Sequence, residues 1–230
     1  MLTAGIDLAS QPARTAVCLI DWSGPRVVEH RLVATDANLL ALVAGADRTG
    51  IDAPLGWPVA FVRALRDDAW PEDRTPLVHR ATDRWVRAET GKVPLSVSTD
   101  RIAYCAMRAA ALLARIDGAD RSGLAGPVCE TYPDPSLARL GLRAATRASY
   151  KREAVDARRA IVDALPPWLG GLDRAACVAS DDLLDALVCA LVARAALLGR
   201  TVPPPAEVTD VAQVEGWIHL PQRMSVDELR

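Results

Sequence analysis

Three short apolar runs, each carrying a single acid, constrain this chain more than any other feature of its sequence. Asp7 lies in Ala4-Gly5-Ile6-Asp7-Leu8-Ala9, Asp52 in Gly50-Ile51-Asp52-Ala53-Pro54, and Glu130 in Val128-Cys129-Glu130-Thr131-Tyr132. Acids are depleted from strand interiors because a charge there is desolvated at high cost. None of the three has a basic neighbour within its own run. An acid that ends its strand and caps the following turn would explain any one of them. Three together point to a common destination.

The elements around these runs read as follows. Thr3 to Ala9 and Arg14 to Ile20 are strands, the second ended by the turn signal Asp21-Trp22-Ser23-Gly24; Arg26 to Val33 is a third. Asp36 caps a short helix carrying Leu39, Leu40, Leu42 and Val43, and residues 50–53 form a fourth strand stopped by Pro54. Residues 55–98, rich in proline and paired charges, read as a substrate-side insertion with helical pieces near 59–66 and 79–88. Ser98 or Thr99 caps a helix from about Asp100 to Ile116, and residues 127–132 are a fifth strand. A basic helical stretch from Ser136 to Leu165, broken near Gly141, precedes a last helix over about 181–198, and Val208 to Leu220 adds an extended tail. Three antiparallel strands followed by strands joined through helices predict one α/β domain over residues 1–230, its mixed sheet covered on both faces.

The last helix adds two more acids. In Ser180-Asp181-Asp182-Leu183-Leu184-Asp185, the first two aspartates fall in the first turn, where they complement the helix dipole. Asp185 has only Asp181, Asp182, Val188 and Cys189 at helical contact spacing, so within its helix it meets like charge and apolar surface. A carboxylate so placed must protonate, find a distant base or bind a cation. Asp182 and Asp185 are helical neighbours, so both can address the place where the acidic strands end. Such convergence implies a hard cation, Mg²⁺ or Mn²⁺, and two ions about 4 Å apart would serve phosphodiester cleavage.

The Lys and Arg total of 27 against 29 Asp and Glu gives a formal net charge of -2, which argues against nonspecific coating of long duplexes but leaves room for a local basic groove. Five cysteines without metal-ligand or redox spacing read as reduced, buried thiols. No leader pattern and no apolar run of membrane-spanning length is present, so the expectation is a soluble, cytoplasmic protein with no membrane partner. Arg139, Arg143, Arg147 and Lys151, spaced by four, would make a basic stripe on a helix suited to a nucleic-acid backbone, or a solvated charged face.

The acid-bearing segments resemble the RNase H-like nuclease superfamily, whose fold opens with three antiparallel strands and places acids on the first strand, a later strand and a closing helix. The segment from Asp182 to Ala190 is similar to the closing helix of the Holliday-junction resolvases of the RuvC group. The closer resemblance is to the uncharacterised family known as domain of unknown function 429, regarded as predicted nucleases. It rests on Gly5-Ile6-Asp7-Leu8-Ala9, the run from Ile51 to Pro58, Arg80 to Asp83, Glu130 to Pro133, Tyr150-Lys151, the Asp182 helix and Glu215 to Ile218, in that order. The resemblance implies a metal-dependent nuclease acting on DNA or RNA. Asp7, Asp52, Glu130, Asp182 and Asp185 are its catalytic metal ligands; Asp7 and Asp52 or Asp185 share one ion, while Glu130 and Asp182 complete a second site. On residue type alone Arg80 and Asp83 read as a surface ion pair; the resemblance implies instead that Arg80, oriented by Asp83, and Lys151 contact substrate phosphate. The alternatives are a phosphotransferase related to the sugar-kinase, actin and Hsp70 superfamily, and a non-catalytic protein that binds nucleic acid or another ligand.

Overall fold

A computed structural model of the protein describes residues 1–146 and 148–230. Strands β1 (Leu2–Asp7), β2 (Ala16–Asp21) and β3 (Arg26–Leu32) form an antiparallel meander. Helix α1 (Asp36–Gly45) then returns the chain to β4 (Arg48–Asp52), which runs parallel to β1. The sheet order is β3-β2-β1-β4-β5, with β5 (Val128–Glu130) parallel to β4. Between β4 and β5 lie α2 (Val59–Asp67), α3 (Thr75–Val78), α4 (Ala81–Thr90) and α5 (Ile102–Leu113). After β5 come α6 (Pro133–Arg139), α7 (Val155–Asp163), α8 (Arg174–Ala179), α9 (Asp181–Leu197) and α10 (Thr209–Glu215).

Alternation along the strands sends side chains to two cores. Ala4, Ile6, Leu8 and Ile51 pack with Leu39, Leu42 and Val43 of α1 and with Ala109, Leu112 and Leu113 of α5. Ala16, Cys18 and Ile20 face the other way, onto Leu184, Leu187, Val188 and Leu191 of α9 and Ile161 and Val162 of α7. Helices thus cover both faces of a mixed sheet, as the strand pattern predicts. Helix α9 is apolar almost all round because it is buried almost all round: every residue from Leu183 to Ala193 is shielded from solvent. Its start is set by Ser180, whose hydroxyl accepts the Leu183 amide.

Several elements depart from the sequence reading, each for a local reason. Residues 12–14 form a 3₁₀ turn, so β2 starts at Ala16 rather than Arg14. Thr35, not Asp36, caps α1, exchanging bonds with Asn38 in a capping box. Ser98 and Thr99 do not cap α5; their amides donate to the Ser96 hydroxyl, and the helix begins at Ile102. The basic stretch is two separate helices, because Gly141 takes a left-handed φ of 71° just past α6. Arg139 and Arg143 therefore share no helical face with Lys151, and Arg147 lies outside the described residues. The tail is not one extended segment: α10 ends at Gly216, which has a positive φ, and only Ile218 bridges alongside Glu130 of β5. All five cysteines are free, and four are buried, with Cys105 partly exposed. Among the described residues no helix is long and apolar enough to cross a membrane.

Candidate metal centre

Strand register places the first two acids. Asp7 and Asp52 are direct partners on the parallel strands β1 and β4, at the last position of each. Side chains at paired positions of adjacent strands leave the same face of the sheet. Two residues earlier, Gly5 and Gly50 are also partners and face the same way. A Cβ at Gly5 would sit 2.0 Å from the Ala186 carbonyl oxygen, and one at Gly50 2.4 Å from the Cys189 carbonyl oxygen. The paired glycines therefore let the backbone of α9 lie directly on β1 and β4. Asp185, the residue before Ala186, is thereby brought down onto Asp7 and Asp52. One oxygen from each of the three aspartates lies within 4.8 Å of the others.

The three carboxylates are not equivalent. Asp185 is fully buried and doubly held: the Tyr150 hydroxyl donates to Oδ1 at 2.6 Å, and the Lys151 ammonium contacts Oδ2. Asp7 and Asp52 are partly buried, and among the described residues neither carboxylate accepts a hydrogen bond or forms an ion pair. Burial, reinforced by the Asp52 charge, pushes the Asp7 carboxyl well above the usual range against the pull of Lys151. Burial raises Asp52 to about 6, again opposed by Lys151. The two charges reach Cys105 of α5 as well: burial and then the charges of Asp52 and Asp7 push its thiol up.

Glu130 does not join the cluster. Its register partner on β4 is Ile51, not Asp52, so the pleat turns it to the opposite face. There it meets Arg80 in a two-pronged contact of 2.6 and 2.7 Å and accepts the Leu55 amide at 2.9 Å. Arg80 also binds both oxygens of Asp83 and the Glu215 carbonyl, and is only 2% exposed. Burial disfavours its charge, but the two carboxylates outweigh burial and hold the guanidinium above its ordinary pKa. Asp83 does orient Arg80, toward Glu130, and each guanidinium nitrogen already has a protein acceptor.

This network fixes the loop beyond Asp52. Glu215 accepts the first amides of two helices, Val59 of α2 and Ala81 of α4, each at 2.7 Å. A Cβ at Gly216 would come within 2.9 Å of Glu130 and 3.2 Å of Arg80, and its φ of 88° suits glycine alone. Arg80 to Asp83 and Glu215 to Ile218 are thus a structural brace beside the centre.

Asp182 is likewise outside the cluster. One turn nearer the helix start than Asp185, it lies 3.5 Å from Arg14 Nε, in the turn before β2. Its charge still acts on Asp7. Lys151 does reach the centre, though from the irregular segment 148–154 that precedes α7 rather than from a basic helical stripe. Arg139 and Arg143 pair instead with Glu89 and Asp134. Sequence reasoning assigned no role to Tyr150 or to the paired glycines. The repeated Gly-Ile-Asp at residues 5–7 and 50–52 was the available signal for the glycines, and the Tyr150-Lys151 pair among the family motifs was the signal for the tyrosine.

Fold and centre together define an α/β protein with an aspartate triad, two members at the carboxyl ends of adjacent parallel strands and one on a buried helix. The family model described as protein of unknown function (DUF429) matches residues 5–210, and the chain belongs to that family. No curated protein and no solved structure matches it.

Proposed function

We propose that this chain is a metal-dependent phosphodiester hydrolase of the RNase H-like kind, acting on DNA or RNA. The observation that carries the reading is the pairing of Asp7 with Asp52, side by side and, among the described residues, without a donor, opposite Asp185. Two like charges held together in a recess are costly unless a cation offsets them. Oxygens on opposite sides of Mg²⁺ stand about 4.2 Å apart, and one oxygen from each aspartate already lies within 4.8 Å of the others, so small side-chain rotations would bring all three onto such an ion. An antiparallel opening of the sheet, an acid at the end of the first strand and a closing helix bearing another acid also support the RNase H-like assignment.

A divalent ion in this site would polarise a phosphodiester and make water a better nucleophile. The protein's own groups divide the remaining work. Asp7 and Asp52 offer two free carboxylates on a rigid strand pair. Tyr150 fixes the rotamer of Asp185 by donating to Oδ1. Lys151, with a side chain 39% exposed, keeps a positive charge where a phosphate would arrive. Beside Asp52 a cleft of about 190 Å³, lined by Pro94, Leu95, Ile102 and Tyr132 together with Arg80 and Glu130, offers a mostly apolar wall for a base or sugar next to the scissile bond.

The test is cleavage of short single-stranded, duplex and branched DNA and RNA with Mn²⁺. Asp7→Asn keeps the shape but removes the charge, and near-complete loss of cleavage in a folded variant is expected. Asp181→Asn is the control: among the described residues Asp181 meets only the Arg152 amide, at 3.5 Å, and its loss should cost less than about tenfold. Equal cleavage by wild type and Asp7→Asn would refute the assignment.

A further inference from the structure

The cation already at the centre is a lysine, and the structure around it shows how it is kept there. Lys151 Nζ contacts Asp185 Oδ2 and stands 5.3 Å from the centre of the Tyr150 ring. Its charge also acts on both Asp7 and Asp52. The backbone on either side is clamped from α7 by Arg158, which is 2% exposed and donates to the carbonyls of Tyr150 and Arg152 at 2.8 and 2.6 Å. Arg152 itself is held in the left-handed region, with a φ of 56°. A buried guanidinium and a strained residue thus fix the root of a side chain whose head is partly open to solvent. A solvated surface lysine would need neither.

Charge decides how many ions fit beside it. Three carboxylates against one ammonium leave two negative charges, the charge of one divalent ion. A second ion would need further acids, but Glu130 is locked to Arg80 on the other face and Asp182 lies by Arg14. We propose that Lys151 is the second cation of the centre: it stays paired with Asp185 beside a single divalent ion on Asp7 and Asp52, and its ammonium binds the substrate phosphate where a second ion would otherwise stand. This rests on the metal-binding reading above and goes beyond it in fixing the number of ions and the partner of the phosphate. Hydrolysis still adds water across the phosphorus–oxygen bond: the water oxygen joins phosphorus and gives up a proton to solvent, the bond to the leaving oxygen breaks, and that oxygen takes up a proton from solvent.

Calorimetric titration of the full chain with Mn²⁺, in wild type, Lys151→Gln and Lys151→Arg, tests this. Wild type should bind one Mn²⁺ per chain. Lys151→Gln should bind its single ion about tenfold or more tightly, having lost a competing charge. Its cleavage of bis(p-nitrophenyl) phosphate should nevertheless fall by about a hundredfold. Lys151→Arg should keep one ion per chain. A lysine that merely held the loop in place would, on removal, weaken the ion rather than strengthen it. Two ions in wild type would overturn the proposal, as would unchanged or weaker Mn²⁺ binding by folded Lys151→Gln. The wild-type count decides even if the glutamine variant fails to fold. No binding by wild type at all would instead remove the metal site beneath the proposal.

Discussion

Replacing Gly5 with alanine should damage the fold and the centre together. The new Cβ would lie 2.0 Å from the Ala186 oxygen and 2.3 Å from the Ala190 nitrogen, where ordinary contact begins near 3.4 Å. Both obstacles are backbone atoms, so no side-chain rotation relieves them. Helix α9 must back away from β1 by more than an ångström, drawing Leu184, Leu187, Val188 and Leu191 out of a close-packed core. Overpacking usually costs about 1–3 kcal/mol, and a clash with two backbone atoms belongs at or above the upper end. For a chain of this size about 3 kcal/mol corresponds to a fall of about 6–12 °C in Tm. Asp185 travels with the helix, so Mn²⁺ affinity should drop in the same variant. Gly45→Ala is the control: it ends α1, its Cβ would meet nothing within 4 Å, and it should be neutral or stabilising by up to about 1 kcal/mol. Urea unfolding followed by fluorescence, with calorimetric Mn²⁺ titration alongside, reads both effects. A Gly5→Ala protein within about 0.5 kcal/mol of wild type would show that α9 does not rest on β1 as described.

Arg80→Met should destabilise by about 3–5 kcal/mol, because it strands Glu130 and Asp83 as buried charges; a urea midpoint near that of wild type would refute the brace. Asp52→Asn should change the pH profile of the metal-free protein in a definite direction. With its carboxyl raised to about 6 in the folded state, native protein binds more protons than unfolded chain between roughly pH 4 and 6. Asp52 therefore weakens the fold above pH 6, and its penalty is relieved as pH falls through that window. The asparagine variant should gain up to about 3 kcal/mol at pH 7.5 and lose that advantage near pH 4. Equal gains at both pH values in urea melts would contradict a raised Asp52.

Much of this centre was legible before any coordinates. Asp7 and Asp52 stood out because a lone acid in an apolar strand needs a reason, and Asp185 because its own helix offers it no base. The chain answered Asp185 partly with Lys151, 34 positions earlier, in a segment with no periodicity to reveal the contact. Glu130 looked the same as Asp7 in sequence, since strand patterns carry no register. One step of register, Ile51 rather than Asp52 as its partner, put it on the other face and made it a partner for Arg80. The basic run failed for a related reason: spacing by four has meaning only on a continuous helix, and Gly141 ends that helix. Sheet type and the two-sided helical cover were readable because they follow from strand and helix order alone.

The proposed function requires a divalent ion among Asp7, Asp52 and Asp185. Crystals of the full chain grown with Mn²⁺ and measured at an energy where manganese scatters anomalously would locate it directly. The expected result is a single anomalous peak bounded by carboxylate oxygens of Asp7 and Asp52 at about 2.2 Å, with Asp185 on its far side. No peak at that position in crystals soaked at millimolar Mn²⁺, or a peak elsewhere that leaves Asp7 and Asp52 unligated, would contradict it.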